Sequence, residues 1–147
     1  MNRIIDIHTH VPPRRDWPFF LEQCRQNDVW IAVTSSLGVS GWPEFPTEEQ
    51  IREANDEACD LAEFANGMVL WFAYLNPNLG SWREELDRCV GLGARGVKLW
   101  ISIKEPGTGS LSPAATVLRA AGALGLPVLL HTYQRTDSNR SGEISLA

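Results

Sequence analysis

The chain has 147 residues, 18 Asp+Glu against 13 Lys+Arg for a net charge of −5, and 44% hydrophobic residues, an ordinary balance for a folded globular domain. No basic run offers itself to phosphates, and no apolar stretch reaches the roughly 18 residues of a membrane span. Nucleic-acid binding and a transmembrane role are therefore excluded, and a complete eight-unit barrel, which takes roughly 250 residues, is too large for this length.

The first predicted strand runs from Arg3 to His10 through Ile4, Ile5 and Ile7. Asp6, His8 and His10 break it up at once, so it is not a signal-peptide core, and the chain reads as cytoplasmic. After Pro12, Pro13 and Trp17-Pro18, the spacing of Phe20, Leu21 and Cys24 predicts a helix to Asn27. Residues 28–34 form an almost wholly apolar second strand, as expected where both faces are covered. A loop with Gly38, Gly41, Pro43 and Pro46 leads to the clearest helix. It opens at Thr47 with Gln50 three residues on, a capping box, and Ile51, Ala54, Ala58, Leu61, Ala62 and Ala65 mark its buried stripe. Asn66-Gly67 closes it with a left-handed cap.

A third strand is predicted from Met68 to Leu75, and Ser81 with Glu84 predicts a second capping box for a helix carrying Leu86, Cys89 and Val90. Gly91 and Gly93 stop that helix. The fourth strand is Gly96 to Ile101, and its loop holds Pro106, Gly107 and Gly109. Ser112 and Pro113 start a fourth helix with Val117, Leu118, Ala121 and Leu124 inward, and Pro127 to His131 is the fifth strand. From Thr132 the sequence turns polar. The order β-α-β-α-β-α-β-α-β predicts parallel strands joined by right-handed crossovers in a single domain over 1–147. Cys24, Cys59 and Cys89 fall one to a helix with no C-x-x-C spacing, the pattern of reduced, buried thiols.

The chemistry concentrates at strand ends. Alternation along the first strand sets His8 and His10 on one face with Asp6 behind them, and Ile5 and Ile7 on the other toward the covering helices. His131 ends the fifth strand. Parallel strands bring their C-terminal ends to one rim, where such proteins keep their ligands, so all three histidines meet there. Two imidazoles on one strand converge on a metal ion if a neighbouring strand supplies a third ligand. Lys98 shares a face of the fourth strand with Trp100, between Val97 and Leu99. A lysine among apolar residues must be neutralised, modified or paired. It serves as a metal-bridging carbamate, steers an anionic substrate, or snorkels out at the rim.

These residues resemble a known family. The H-x-H of the first strand, Gly96-Val97-Lys98-Leu99 on the fourth and Pro127-Val-Leu-Leu-His131-Thr132 on the fifth are similar to the amidohydrolase superfamily, more narrowly to its amidohydrolase-related (family 2) hydrolases and decarboxylases. Ala62-Glu-Phe-Ala-Asn66 and Asn76-Pro77 add to the resemblance, which covers residues 3 to about 145. TatD-type nucleases would carry a glutamate on the fourth strand, and PHP phosphoesterases an early T-D-H; neither is present.

The resemblance implies a (β/α)8 barrel of which this chain is a C-terminally truncated, N-terminal part: about five parallel strands and four helices. It implies metal ligands at His8, His10 and His131, a divalent metal of zinc type, and a substrate pocket with Lys98 and Trp100. The implied reaction is attack of a metal-activated water on an amide, ester or lactone carbonyl. The alternatives are metal-dependent decarboxylation by the same kind of site, and a catalytically inactive truncated barrel. No catalytic residue is assigned, because the family's sixth-strand His and eighth-strand Asp have no counterpart. Gln134, Arg135, Asn139 and Glu143 resemble the substrate loop after the fifth strand. The expected partner is a small-molecule substrate. Open edges at the first and fifth strands favour homo-oligomers, and a monomer is expected to leave inner-face residues such as Trp71 or Trp100 open to water.

Overall fold

Apolar strands alternating with one-sided amphipathic helices bury both faces best when a parallel sheet takes the helices on its outer side. The computed structural model describes residues 3–43, 45–100 and 112–131. In chain order these form β1 (Ile4–His10), a 3₁₀ turn (Arg14–Asp16), α1 (Trp17–Gln26), β2 (Val29–Ser35), α2 (Glu48–Phe64), β3 (Val69–Trp71), β4 (Ala73–Tyr74), α3 (Trp82–Gly91), β5 (Val97–Leu99), α4 (Ser112–Ala123) and β6 (Val128–Leu130). Every pairing is parallel, in the orders β1-β2-β3 and β4-β5-β6. With β3 and β4 counted as halves of one strand, this is a partial α/β barrel of about five strands and four helices, and its sheet is not closed. Ile101, the loop with Pro106, Gly107 and Gly109, and the tail from Thr132 lie outside the described residues.

The third strand differs from its expected form. Val69, Leu70 and Trp71 pair with β2, whereas Ala73 and Tyr74 pair with β5. Phe72 donates its N–H to the Thr34 carbonyl (2.9 Å), and Ala73 donates to the Gly96 carbonyl (2.9 Å). The strand thus serves its two neighbours at different heights, and this stagger tilts and curls a sheet toward a barrel.

Helix signals are met unevenly. Thr47 and Gln50 form both halves of the capping box, and Asn66 takes the left-handed conformation at φ 47°. The second predicted box does not form: the Ser81 hydroxyl donates to Glu48 Oε1 (2.6 Å), so α3 starts without a side-chain cap and Ser81 ties two helix starts together. Cys24, Cys59 and Cys89 are free and buried, as expected.

The core lies between sheet and helices. Trp17, Leu21 and Cys24 of α1 pack with Ala32, Leu61 and Val69. Ala58, Cys59 and Cys89 enclose Trp71, and Leu86, Val117 and Ala121 enclose Val97 and Leu99. Trp71 is therefore buried on the helical side, and Trp100 is buried as well, against Leu37 and Tyr74. Neither tryptophan stands open to water as expected. The exposed apolar side chains of the edge strand β1 are Ile4, Ile5 (55% exposed) and Ile7 (64%).

That reversal has a local cause. Asp6 pairs with Ala32, which packs on α1, and the Asp6 charge is felt at Cys24 of that helix. The register then slips between Asp6 and Thr9, three steps on β1 matching two on β2. A bulge of this kind resets the alternation. Asp6, paired with Ala32, lies toward α1 and Ile5 away from the helices, with β1 irregular on both sides of them, between Ile4 and Ile5 and again between Asp6 and Thr9.

A buried polar cluster fixes β4. Asn55 accepts the Tyr74 N–H (2.7 Å) and donates to the Tyr74 carbonyl (3.0 Å) and to Glu85 (2.8 Å). Glu85 takes two bonds from Arg88 (2.7 and 2.8 Å), whose guanidinium also reaches Asp56 (2.6 Å). One side chain of α2 thereby clamps the strand leading to the rim, and α3 holds that side chain.

Candidate metal and ligand site at the strand rim

β1 delivers His8 and His10 to the C-terminal rim with ring centroids 5.2 Å apart, edge to face. The His10 Nδ1 lies 3.2 Å from the Ser35 carbonyl, which also accepts the Val11 N–H. A carbonyl only accepts, so Nδ1 carries the proton and Nε2 is left as the donor atom for a ligand. Burial is the main reason that His10 titrates below its ordinary value; the Ser35 bond opposes this, and Lys98 and His8 add to it. His8 is lowered by burial first, then by Lys98 and His131, against the pull of Asp6. The lowering favours the neutral ring, the form in which imidazole binds metals.

Lys98 reaches the same place from β5. It is 1% exposed, so it does not snorkel out, and its Nζ donates to His8 Nε2 at 3.3 Å. Burial brings its ammonium down to about 8. Across the sheet, the His131 N–H bonds the Leu99 carbonyl (2.9 Å), and its ring lies 6.2 Å from that of Trp100. His8, His10, Lys98, Trp100 and His131 are thus drawn to one rim from both halves of the sheet. Gln134, Arg135, Asn139 and Glu143 lie outside the described residues.

Two contributors were not singled out by the sequence. Trp42 bridges the halves, its ring 5.1 Å from His10 and 6.1 Å from Trp100. Ser35 pairs with His10 and so leaves the sheet on the same side. The Ser35 and Thr34 hydroxyls are buried with no hydrogen-bond partner among the described residues. Leaving such a group unpaired costs about 1–3 kcal/mol. The sequence carries only a weak signal for them: three hydroxyl residues, Thr34-Ser35-Ser36, end an apolar strand, and a Gly38…Gly41 turn precedes an otherwise unexplained tryptophan.

The donors suit a borderline divalent cation in kind: neutral imidazoles, one with its tautomer fixed by the backbone. They do not suffice in number. Among the described residues, no three His, Cys, Asp or Glu side chains are gathered closely enough to hold a metal ion.

No protein-family model matches the chain, and no curated protein matches it. Solved structures do. The chain is similar to 2,6-dihydroxybenzoate decarboxylase from Rhizobium, with a TM-score of 0.66 and 19% identity over 93% of this chain and 52% of that one. A 2,6-dihydroxybenzoate decarboxylase in complex with 2,6-dihydroxybenzoate gives 0.65 at 19% identity, with the same coverage. A probable 2-pyrone-4,6-dicarboxylic acid hydrolase from Acinetobacter baumannii, with citric acid bound, gives 0.59 at 16% over 89% of this chain and 50% of that one. The likeness is one of fold. The chain spans about half the length of these structures. Among the described residues, no helix is long and apolar enough to cross a membrane.

Proposed function

We propose that residues 1–147 form one domain, the amino-terminal part of a metal-dependent hydrolase barrel of the amidohydrolase kind, working on a small cytoplasmic substrate. The observation that carries this reading is the meeting of His8, His10 and Lys98 with the Trp100–His131 pair at the C-terminal rim of one parallel sheet. His8, His10 and His131 would be imidazole ligands of a zinc-type cation in a site that needs further ligands, since the described side chains are not gathered closely enough to hold it alone, and the cation would lend Lewis acidity to a carbonyl and a water. The chain's own residues do the rest. The Ser35 carbonyl presents His10 through Nε2, Lys98 would offer N–H donors to an anionic group, and Trp100 would line the substrate pocket. Self-association through the open edges completes the proposal.

Decarboxylation is the second reading, favoured because two of the three solved structures described above are 2,6-dihydroxybenzoate decarboxylases. The two readings separate by product. Zinc titrated calorimetrically into the chain should bind, and His8→Ala and His131→Ala should each weaken binding by about 10–100-fold. A panel of esters and lactones then reports hydrolysis, and CO2 release from 2,6-dihydroxybenzoate reports decarboxylation. Zinc binding unaffected by either substitution would refute the site. Bound zinc without turnover of either kind would identify an inert barrel fragment.

A further inference from the structure

A cleft of about 440 Å³ opens in the helical layer, between the 3₁₀ turn, the start of α1 and the end of α2. Its floor is the Trp17 indole, which packs into the core and is fixed by a bond from its Nε1–H to the Pro12 carbonyl (3.0 Å). The Phe64 ring, 53% exposed, lies 5.6 Å from it at an angle of 49°. Asp60, Glu63 and Phe64 are three and four positions apart on α2 and so share one face, which sets two carboxylates beside the two rings.

The cleft already holds a cation, and it is the chain's own. The Arg14 guanidinium lies over the Trp17 ring, 5.0 Å from its centre, and 3.2 Å from the Asp60 carboxylate. A planar guanidinium is the group that meets both at once, its face to the ring and its N–H edge to the acid. Yet Arg14 fills the place poorly. Its side chain is 74% exposed, and neither an exposed ion pair nor an exposed cation–π contact holds a side chain firmly. Glu63 makes no ion pair among the described residues, and Arg15, also at the cleft, lies by Asp16 instead (3.7 Å). Arg3 over Trp30 (4.9 Å) is the contrast: it makes no ion pair among the described residues, so stacking there comes without the acid.

We propose that this cleft is a binding site for an arginine side chain of a partner protein, and that Arg14 is the built-in occupant it displaces. The incoming guanidinium takes the place over Trp17 against Asp60 and Glu63, and its methylene stem lies along Phe64 and Pro18. Arg14 swings out to water from its short turn. The net charge of −5 favours a basic partner. The site shares no residue with the strand rim and stands whether or not that rim binds a metal.

The test is a titration of acetyl-arginine amide into the full chain, followed by NMR at the Trp17 indole N–H. Acetyl-citrulline amide, of the same shape but uncharged, is the control. The arginine probe should shift that signal saturably, and the citrulline probe should leave it in place. Arg14→Ala vacates the cleft and should tighten binding about fivefold, the occupancy that one exposed cation–π contact and ion pair maintain. Arg14→Gln, which keeps a long polar side chain, should match it. Asp60→Asn added to Arg14→Ala should weaken binding again by about threefold. The proposal is overturned if the citrulline probe binds as tightly, if neither Arg14 variant binds more tightly than the unmodified chain, or if no form of the chain binds the arginine probe.

Discussion

Glu85 shows how much a single buried charge holds in place. Burial alone would raise its carboxyl, but the hydrogen bonds from Arg88 and Asn55 outweigh this and hold it below the usual carboxylate range. Its side chain is 8% exposed, so Glu85→Ala strands Asn55 and part of Arg88 and should cost about 3 kcal/mol in urea unfolding at pH 7. The sign with pH follows. A carboxyl lowered in the folded state contributes fully above its unfolded value of about 4.3 and loses that contribution as pH falls through the lower folded value. Urea midpoints should therefore drop more steeply below pH 4 in the unmodified chain than in Glu85→Gln. The thiols behave differently: burial pushes Cys24, Cys59 and Cys89 up, so none should react with a thiol reagent until the chain is unfolded. The placement of His8, His10, Lys98 and His131 on one side of the sheet was legible because rare residue types recurred along its strands. Asn55 was not. It sits inside a stripe of alanines, and only the meeting of α2 with β4 gives an asparagine there something to bind. Ser35 was missed for a related reason: a hydroxyl next to others looks like solvent-facing polarity until its burial is known.

At the scale of elements, local chemistry predicted well where the partners lie within one helix turn. The Thr47 box closes within four residues, and Thr47→Ala should cost about 1 kcal/mol in thermal or urea unfolding. The Ser81 box had the same letters, yet Glu48, 33 positions away, captured the hydroxyl. Long-range contact overrode the local pattern. The third strand was legible as a run of apolar residues but not as two pairing segments, because the stagger depends on where β2 and β5 sit. Gly96 sits where that stagger leaves least room: a Cβ there would come within 2.6 Å of the Phe72 ring. Gly96→Ala should destabilise by about 1–3 kcal/mol, and Phe72→Leu in the same chain should restore part of the loss. The bulge in β1 is the feature that a strict two-residue period hides, and it is why Asp6 and His8 end up with different surroundings.

At the scale of the whole molecule, strand order and helical cover were legible because alternating βα units admit few arrangements. Which apolar side chains would face water was not, since that depends on register. The exposed side chains of β1 are Ile4, Ile5 and Ile7, so Ile7→Lys should reduce association seen by sedimentation, whereas substitutions of the buried Trp71 should unfold the chain instead.

The stagger of the third strand carries one more consequence. Among the described residues, a ribbon coiled by that stagger leaves β1 and β6 each paired along one margin alone. Such bare margins are templates for another copy, so light scattering should rise with concentration, and a charge placed on β1 should damp the rise.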